Sequence, residues 1–599
     1  MTLGTTRTSD NQLTTKPLQG VRFRTGGPPG PVSIATQHLR LLGAEPSEGD
    51  LGVVNRTGTD GATVETHLSW SGADSEVCDE ATTQAAAGLM FVHGRRDAAP
   101  RGLAVDYIST AAGVLGAQGV LAALIGRARG NSVASADVSL DRVALLSISQ
   151  YLAAACADDD EAGPLAPGGP PFTTADGIRF ELEALDVAVW ADFWRVMRAP
   201  MDAVGKGWRP FQFRYATACA PIPGELHHTA MTRTWAQVQA AAVESGADVC
   251  RLHTLTERAE ELHHGAESTL PWGLTLGSAN PATATRRGRC STEHPLAGFT
   301  VLEAGRRVQA PLAAHLLGLL GATVVRIEPP GGDPLRGMPP TCSDISARWL
   351  ALNRGKDAVE IDIKSPADRK RLCELATDAD VFLHNWAPGK AEQLGLDADT
   401  LSAANPGLVY AYTSGWAGRV TGAPMGTDFM VQARTAVGEA ARPVDEPPVP
   451  SLMTLLDVLG GMLGAEAILA GLLARERSGR GVRVESSLLA AAQLLTAPAL
   501  NQARDGRAPR RPAGFRHPLP TADGLLTPVD DHAAAAAEHA AQVRALSTDD
   551  AVAMLRDRGI VTTAVTTDLT ALPTDPRFAG AMTRDEHGAV AVASPWRFR

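Results

Sequence analysis

The 599-residue chain is poor in cysteine, in excess positive charge and in long apolar runs. Its seven cysteines (78, 156, 219, 250, 290, 342 and 373) are scattered, odd in number and form no CxxC pair. Neither a zinc knuckle nor a disulfide framework is expected, and scattered thiols fit a reducing cytoplasm. The 55 Lys and Arg against 66 Asp and Glu leave a net charge of -11, so no global footprint for nucleic acid is present. No stretch is expected to reach the roughly 18–20 apolar residues of a membrane helix. The polar opening MTLGTTRTSDNQLTTKP has no signal-peptide core, and residues 1–16 are expected to be disordered. No GxGxxG follows the first strand of the C-terminal half and no GxxxxGK[ST] occurs, so no standard dinucleotide or P-loop site is expected. The pairs His227-His228 and His263-His264 make no metal site, because adjacent side chains leave on different faces and no carboxylate cluster recurs at ligand spacing.

What the sequence does contain is a repeat. PLQGV at 17–21 answers PLAGF at 295–299, and LLGA at 41–44 answers LLGA at 319–322 at the same offset. EPSEGD at 45–50 resembles EPPGGD at 328–333, LAAL at 121–124 answers LAGL at 469–472, and TADG recurs at 174–177 and 521–524. Collinear matches of this kind read as a tandem duplication into two unequal copies, 17–276 and 295–599, joined by a polar linker at 277–294. The first copy lacks the segment that the second carries up to about Asn405. The second is compact after its TADG, with an Ala-rich helix expected near 533–545. The first keeps a Trp- and Phe-rich stretch over 178–265.

In the second copy, 299–303 reads as a buried strand, 306–320 as an amphipathic helix and 322–327 as a second buried strand, a βαβ crossover. Further strands are expected at 360–363, 380–385 and 407–413. The alternation predicts an α/β fold with a doubly wound parallel sheet, Rossmann-like, whose ligands bind at the C-terminal strand edge. The centre of the copy is SLMTLLDVLGGMLGAEAILAGLLARERSGRGVRVESSLL, 451–489. Its helix is apolar on nearly every face and ends in a basic, Gly-rich turn at 475–480. Asp457 stands at the N-terminal edge of this helix, where the dipole favours an ionised acid. Position alone reads Asp457 as a helix cap.

In order, PLAGFTVLEAGRRVQAPLAAHLLGLLGATVVRIEPPGGDPLRG, LNRGK, NWAPG, NPGLVYAYTSGW, TDFMVQA and LLDVLGGMLGAEAILAGLLARERSGRG resemble the class III CoA-transferase family, the carnitine dehydratase and bile-acid-inducible protein type. The resemblance is closest over 295 to about 500, looser over the remaining C-terminus and loosest over the first copy. It implies that Asp457 attacks an acyl-CoA thioester as a covalent nucleophile. It places the Gln309 amide beside the reacting carbonyl, as a donor to a developing oxyanion. Asp428 matches a second acidic position that holds substrate or tunes Asp457 through its charge. Arg336, Asn353, Lys356, Asn385 and Trp386 fall where the family holds coenzyme A, with Trp386 packing on adenine or the pantetheine arm. The family's arginine in the segment 385–389 is replaced by Ala387. The implied ligands are an acyl-CoA and a carboxylic acid, with no metal, nucleic acid or membrane.

Racemases of the same family carry a His immediately before the Asp428 position; here it is Thr427, which favours transfer over two-base racemisation. An acyl-CoA racemase, epimerase or dehydratase, and a non-catalytic acyl-CoA-binding protein, stay open as alternatives. In the first copy Glu80 and Gln84 align with Asp428 and Gln432. Counting 29 residues from Glu80 gives Ser109, with Asp106 three residues earlier, so either three residues are inserted or the acid is lost; Pro31 stands for Gln309. The first copy therefore reads as catalytically silent. Family members are interlocked homodimers with a glycine loop closing over the site, and GPLAPGGP at 163–170 is the candidate for that loop. The expected assembly is a monomeric pseudo-dimer within one chain, or a homodimer.

Overall fold

The computed structural model describes residues 15–23, 25–46, 65–70, 76–133, 135–161, 163, 165–264, 270–277 and 290–599. Of the segment 1–16 expected to be disordered, residues 1–14, together with the EPSEGD match beyond Pro46 and most of the linker, 278–289, lie outside the described residues.

The C-terminal half is built on a seven-stranded sheet. Strands Asp357–Glu360, Thr323–Glu328, Thr300–Ala304, Val381–His384, Val409–Ser414 and Val482–Ser487 lie side by side in that order and parallel. Val-rich runs such as TVVRIE and VYAYTS suit strands covered on both faces. The seventh strand, Trp272–Leu276, comes from the N-terminal half and pairs antiparallel on the far edge, Leu274 opposite Val484. The exchange is reciprocal. The C-terminal strand Trp596–Phe598 pairs antiparallel with Ser135–Ser139 of the N-terminal half, which itself runs parallel to Glu65–Ser69. Each half thus completes its sheet with the last strand of the other.

Two long helices, Tyr107–Ala128 and Leu455–Ser478, form the centre of the molecule. The Gln118 amide donates to the Met462 carbonyl at 2.8 Å, tying one to the other. Both are long and apolar enough to cross a membrane, contrary to the sequence expectation, but both are buried inside the protein. Gly and Ala interrupt the large apolar residues, so no unbroken run catches the eye, yet small residues bury as readily as large ones. Helix Gln309–Leu319 packs on Leu455–Ser478, and Pro29–Leu41 packs on Tyr107–Ala128. Glycine makes both approaches possible: a β-carbon at Gly461 would lie 2.7 Å from the Gln309 carbonyl oxygen, and one at Gly113 2.8 Å from that of Pro31. The expected amphipathic helix over 306–320 is shorter and apolar all round, buried from Gln309 to Leu317, because it lies between the sheet and the central helix.

A buried polar link crosses the halves. His38 Nδ1 and the Glu466 carboxylate stand 2.9 Å apart, with both side chains at most 1 % exposed. The Ala-rich stretch forms two short helices, Ala533–Glu538 and Ala540–Ala545.

Candidate active site

A cleft of about 2090 Å³ opens at the C-terminal ends of the parallel strands, where an open α/β sheet binds its ligands. Its walls come from both halves. Gly305 to Gln309, Asn385, Trp386, Ser414, Asp428 and Asp457 belong to the C-terminal half; Glu183, Arg214 and Tyr215 belong to the N-terminal half.

Asp457 lies in the first turn of helix Leu455–Ser478, partly exposed to the cleft. The turn is entered through Thr454, a β-branched residue at φ +47°, a strained conformation that concentrates at functional sites. Asp428, 3 % exposed, lies beneath. Its Oδ2 accepts the backbone N–H groups of Leu456 and Asp457, both at 2.7 Å, and its Oδ1 accepts the Gln432 amide. Asp428 therefore caps the central helix from a neighbouring element, which corrects the reading of Asp457 as the cap. It also reverses the expected charge state. The positive helix end is spent on Asp428, so the Asp457 carboxyl rises well above the usual carboxylate range, by burial first and by the Asp428 charge second. Burial raises Asp428 as well, against its three donors. Three hydrogen bonds favour the charge on Asp428, leaving the proton on Asp457 at rest.

Gln309 is 5 % exposed, and its Nε2 donates to the Ser414 carbonyl at a long 3.4 Å. A β-carbon at Gly460, three residues beyond Asp457, would stand 3.0 Å from that amide nitrogen. The amide thus hangs over the first turn, able to turn toward a developing oxyanion. Thr427 donates its hydroxyl to Glu183 at 2.7 Å, and Arg214 pairs with the same carboxylate at 3.0 Å.

The residues expected to hold coenzyme A divide. Asn385 and Trp386 line the cleft. The Asn385 amide grips the backbone of Arg306 at both ends, its Oδ1 accepting the N–H at 2.9 Å and its Nδ2 donating to the carbonyl at 3.0 Å. The Trp386 ring packs on His384 at 4.8 Å. Asn353 and Lys356 are off the cleft wall: Lys356 Nζ is buried against Glu303 Oε2 at 2.7 Å, the Pro311 carbonyl at 2.8 Å and Asn353 Oδ1 at 2.9 Å. The sequence expectation fails there because Glu303, 0 % exposed on strand Thr300–Ala304, needs the cation for itself. Arg336 is likewise not on the wall; it pairs with Glu328 at 2.9 Å and stacks over Trp349 at 3.8 Å. Exposed Arg306, Arg307 and Lys364 line the cleft instead and were missed. The tandem arginine Arg306-Arg307, one residue short of Gln309, was the available signal.

In the N-terminal half, the Glu80 carboxylate accepts the N–H groups of Ile108 and Ser109, the latter 29 residues on, as Asp428 accepts that of Asp457 29 residues on. Ser109 rather than Asp106 therefore occupies the register of Asp457. Asp106 pairs with Arg516 at 2.6 Å. The described residues of the 163–170 loop do not line the cleft: the Gly168 N–H donates to the Arg96 carbonyl, and Gly169 lies against Leu452 and Ala220.

Residues 63–270 and 296–576 match the model for CoA-transferase family III. The chain belongs to CoA-transferase family III. This family III chain is 33% identical over 213 residues to succinyl-CoA:glutarate CoA-transferase of Mus musculus, covering 35% of this chain and 48% of that protein. It is 34% identical over 229 residues to acetyl-CoA:oxalate CoA-transferase of Acetobacter aceti, 37% of this chain and 58% of that one. The chain spans about half the length of the curated relatives it matches. The solved structure of a CAIB/BAIF family protein from Brucella suis is 25% identical, with a TM-score of 0.46, over 51% of this chain and 93% of that one.

Proposed function

We propose that the chain moves coenzyme A between carboxylic acids, with Asp457 as the covalent nucleophile. The observation that carries this reading is a partly exposed carboxyl at the cleft floor, beside an amide donor and above a capped helix turn. The Asp457 carboxylate attacks the thioester carbonyl of an acyl-CoA and expels the CoA thiolate, leaving an acyl-aspartyl anhydride. The thiolate then attacks the Asp457 carbonyl and displaces the donor acid, giving an aspartyl-CoA thioester. The acceptor carboxylate attacks that thioester, and the thiolate released takes the acceptor acyl group, restoring Asp457. A carboxylate suits this sequence because it serves as nucleophile and leaving group in turn. The Gln309 amide stabilises the oxyanions. Burial beside Asp428 makes Asp457 a stronger base and nucleophile than a solvated aspartate.

Trp386 and the exposed cations Arg306 and Lys364 are suited to the nucleotide end of coenzyme A. Relatives named for succinate, glutarate, malate and oxalate transfer support the reaction class. Racemisation is the poorer reading: Thr427 gives its hydroxyl to Glu183 and offers no second base beside Asp457.

The duplication reading makes the two halves an interlocked pair within one chain, supported by the reciprocal strand exchange and the shared 29-residue spacing. One site works: Ser109 and Pro31 replace Asp457 and Gln309 in the silent half, which contributes Glu183, Arg214 and Tyr215 to the working cleft. The test is hydroxylamine during turnover. Inactivation that requires acyl-CoA, with a hydroxamate at Asp457, is expected; full activity in hydroxylamine would contradict the mechanism.

A further inference from the structure

The cleft holds one cation that the transfer steps do not use. Arg307 is exposed, lines the cleft two residues before Gln309 and sits at φ +62°. A bulky residue is rarely held in the left-handed region without cause. The Asn385 grip on residue 306 fixes the turn. From there the Arg307 guanidinium reaches the opposite wall, 5.7 Å from the Tyr215 ring centre. Of the other arginines of the cleft, Arg214 pairs with Glu183, Arg326 with Glu303 and Asp333, and Arg483 with Glu485, while Arg306 is given to the coenzyme. Among the described residues, none of the ion pairs engages Arg307. Tyr215 is partly exposed, and among the described residues its hydroxyl is given to the Met338 sulfur at 3.6 Å, a weak acceptor that a carboxylate readily displaces. Arg307 stands two residues before Gln309, whose amide lies against Gly460 of the helix that carries Asp457, and Arg307, Gln309 and Asp457 all line the same cleft.

We propose that Arg307 and Tyr215, one from each half, form an anion subsite for a second carboxylate on the transferred acid, so that the protein selects dicarboxylic over monocarboxylic acids. This rests on the transferase reading. A guanidinium matches a carboxylate in two-point geometry, and the Tyr215 face holds the guanidinium in place.

The test measures kcat/KM for succinate and glutarate against butyrate as CoA acceptors, in the wild type and in Arg307→Asn, Arg307→Lys and Tyr215→Phe. Asparagine tolerates the left-handed backbone, which keeps the variant folded. The dicarboxylate-to-butyrate ratio is expected to fall by roughly 10- to 100-fold in Arg307→Asn, the worth of a charged hydrogen-bonded pair, carried mainly by KM. Arg307→Lys should recover part of it, and Tyr215→Phe should lose a few-fold. A ratio unchanged in Arg307→Asn, or a wild type indifferent between glutarate and butyrate, overturns the subsite and leaves the transferase reading intact. If no acid supports transfer, the transferase reading fails by itself. Calorimetric titration of glutarate and butyrate into the CoA-saturated protein then decides the subsite: preferential glutarate binding lost in Arg307→Asn sustains it, and equal binding refutes it.

Discussion

Replacing Asp428 by asparagine separates what its charge does from what its hydrogen bonds do. The Asn oxygen can occupy the Oδ2 position and keep both helix N–H groups of Leu456 and Asp457. The Asn NH2 then faces the Gln432 amide, which cannot flip without giving up the Ser451 N–H at 2.8 Å. One buried donor loses its acceptor, at a cost of about 1–3 kcal/mol. The electrostatic effect has the opposite sense for Asp457. Its proton is held by burial and by the Asp428 charge. Losing that charge lets Asp457 ionise at lower pH, by on the order of one pH unit for a like charge at close range in a protein interior. The wild-type kcat/KM for acyl-CoA should rise with pH through the neutral range as Asp457 of the free enzyme ionises. In Asp428→Asn the same limb should move acidward, so that the variant retains more of its own plateau rate at pH 6. The assay is a pH–rate profile of kcat/KM alongside thermal unfolding. A limb that stays put, or moves to higher pH, would refute the coupling of the two carboxyls.

The remaining expectations are structural and electrostatic. A carboxyl raised in the folded state contributes stability that is fully present below its unfolded value of 3.8 and is lost as pH rises through the raised value. Asp457→Asn should therefore gain stability over the wild type as pH climbs through neutrality, the difference vanishing in acid, as read by denaturant unfolding across pH. Lys356→Met should cost about 3 kcal/mol, because it strips a partner from buried Glu303, while the KM for acyl-CoA in the folded protein stays within about threefold; a large KM effect would return Lys356 to the coenzyme site. His38→Leu leaves Glu466 buried and unpaired and should cost about 3–5 kcal/mol, with most of the loss recovered in His38→Leu/Glu466→Leu.

The sequence shows the sheet and its central helix plainly, because both follow from short-range patterning. The apolar runs at 322–327 and 407–413 become Thr323–Glu328 and Val409–Ser414, and the basic Gly-rich turn ends the helix at Ser478 with Gly479 at φ +69°. The 29-residue spacing between Glu80 and Ser109 is countable in the sequence, though only the hydrogen bond between them decides against Asp106. What stayed hidden depends on partners far along the chain. Lys356 has the charge for phosphate but is claimed by Glu303, 53 residues earlier. The dipole at Asp457 is consumed by Asp428, a loss that no inspection of the helix itself reveals. Arg307 reads as the start of a helix until the backbone turns left-handed there, which shortens the helix to Gln309 and turns a solvated charge into part of the cleft wall. The link between His38 and Glu466 spans 428 residues and two halves, beyond the reach of any local pattern.

The central claim is that Asp457 becomes covalently joined to the groups it transfers. Intact-protein mass spectrometry after brief incubation with succinyl-CoA and acid quench tests it most directly. The account predicts a mass increase equal to coenzyme A less water, or to the succinyl group, mapped to the peptide bearing Asp457 and absent from Asp457→Asn. Transfer of coenzyme A to an acceptor acid by the Asp457→Asn variant at the wild-type rate, or an adduct on any other residue, would contradict it.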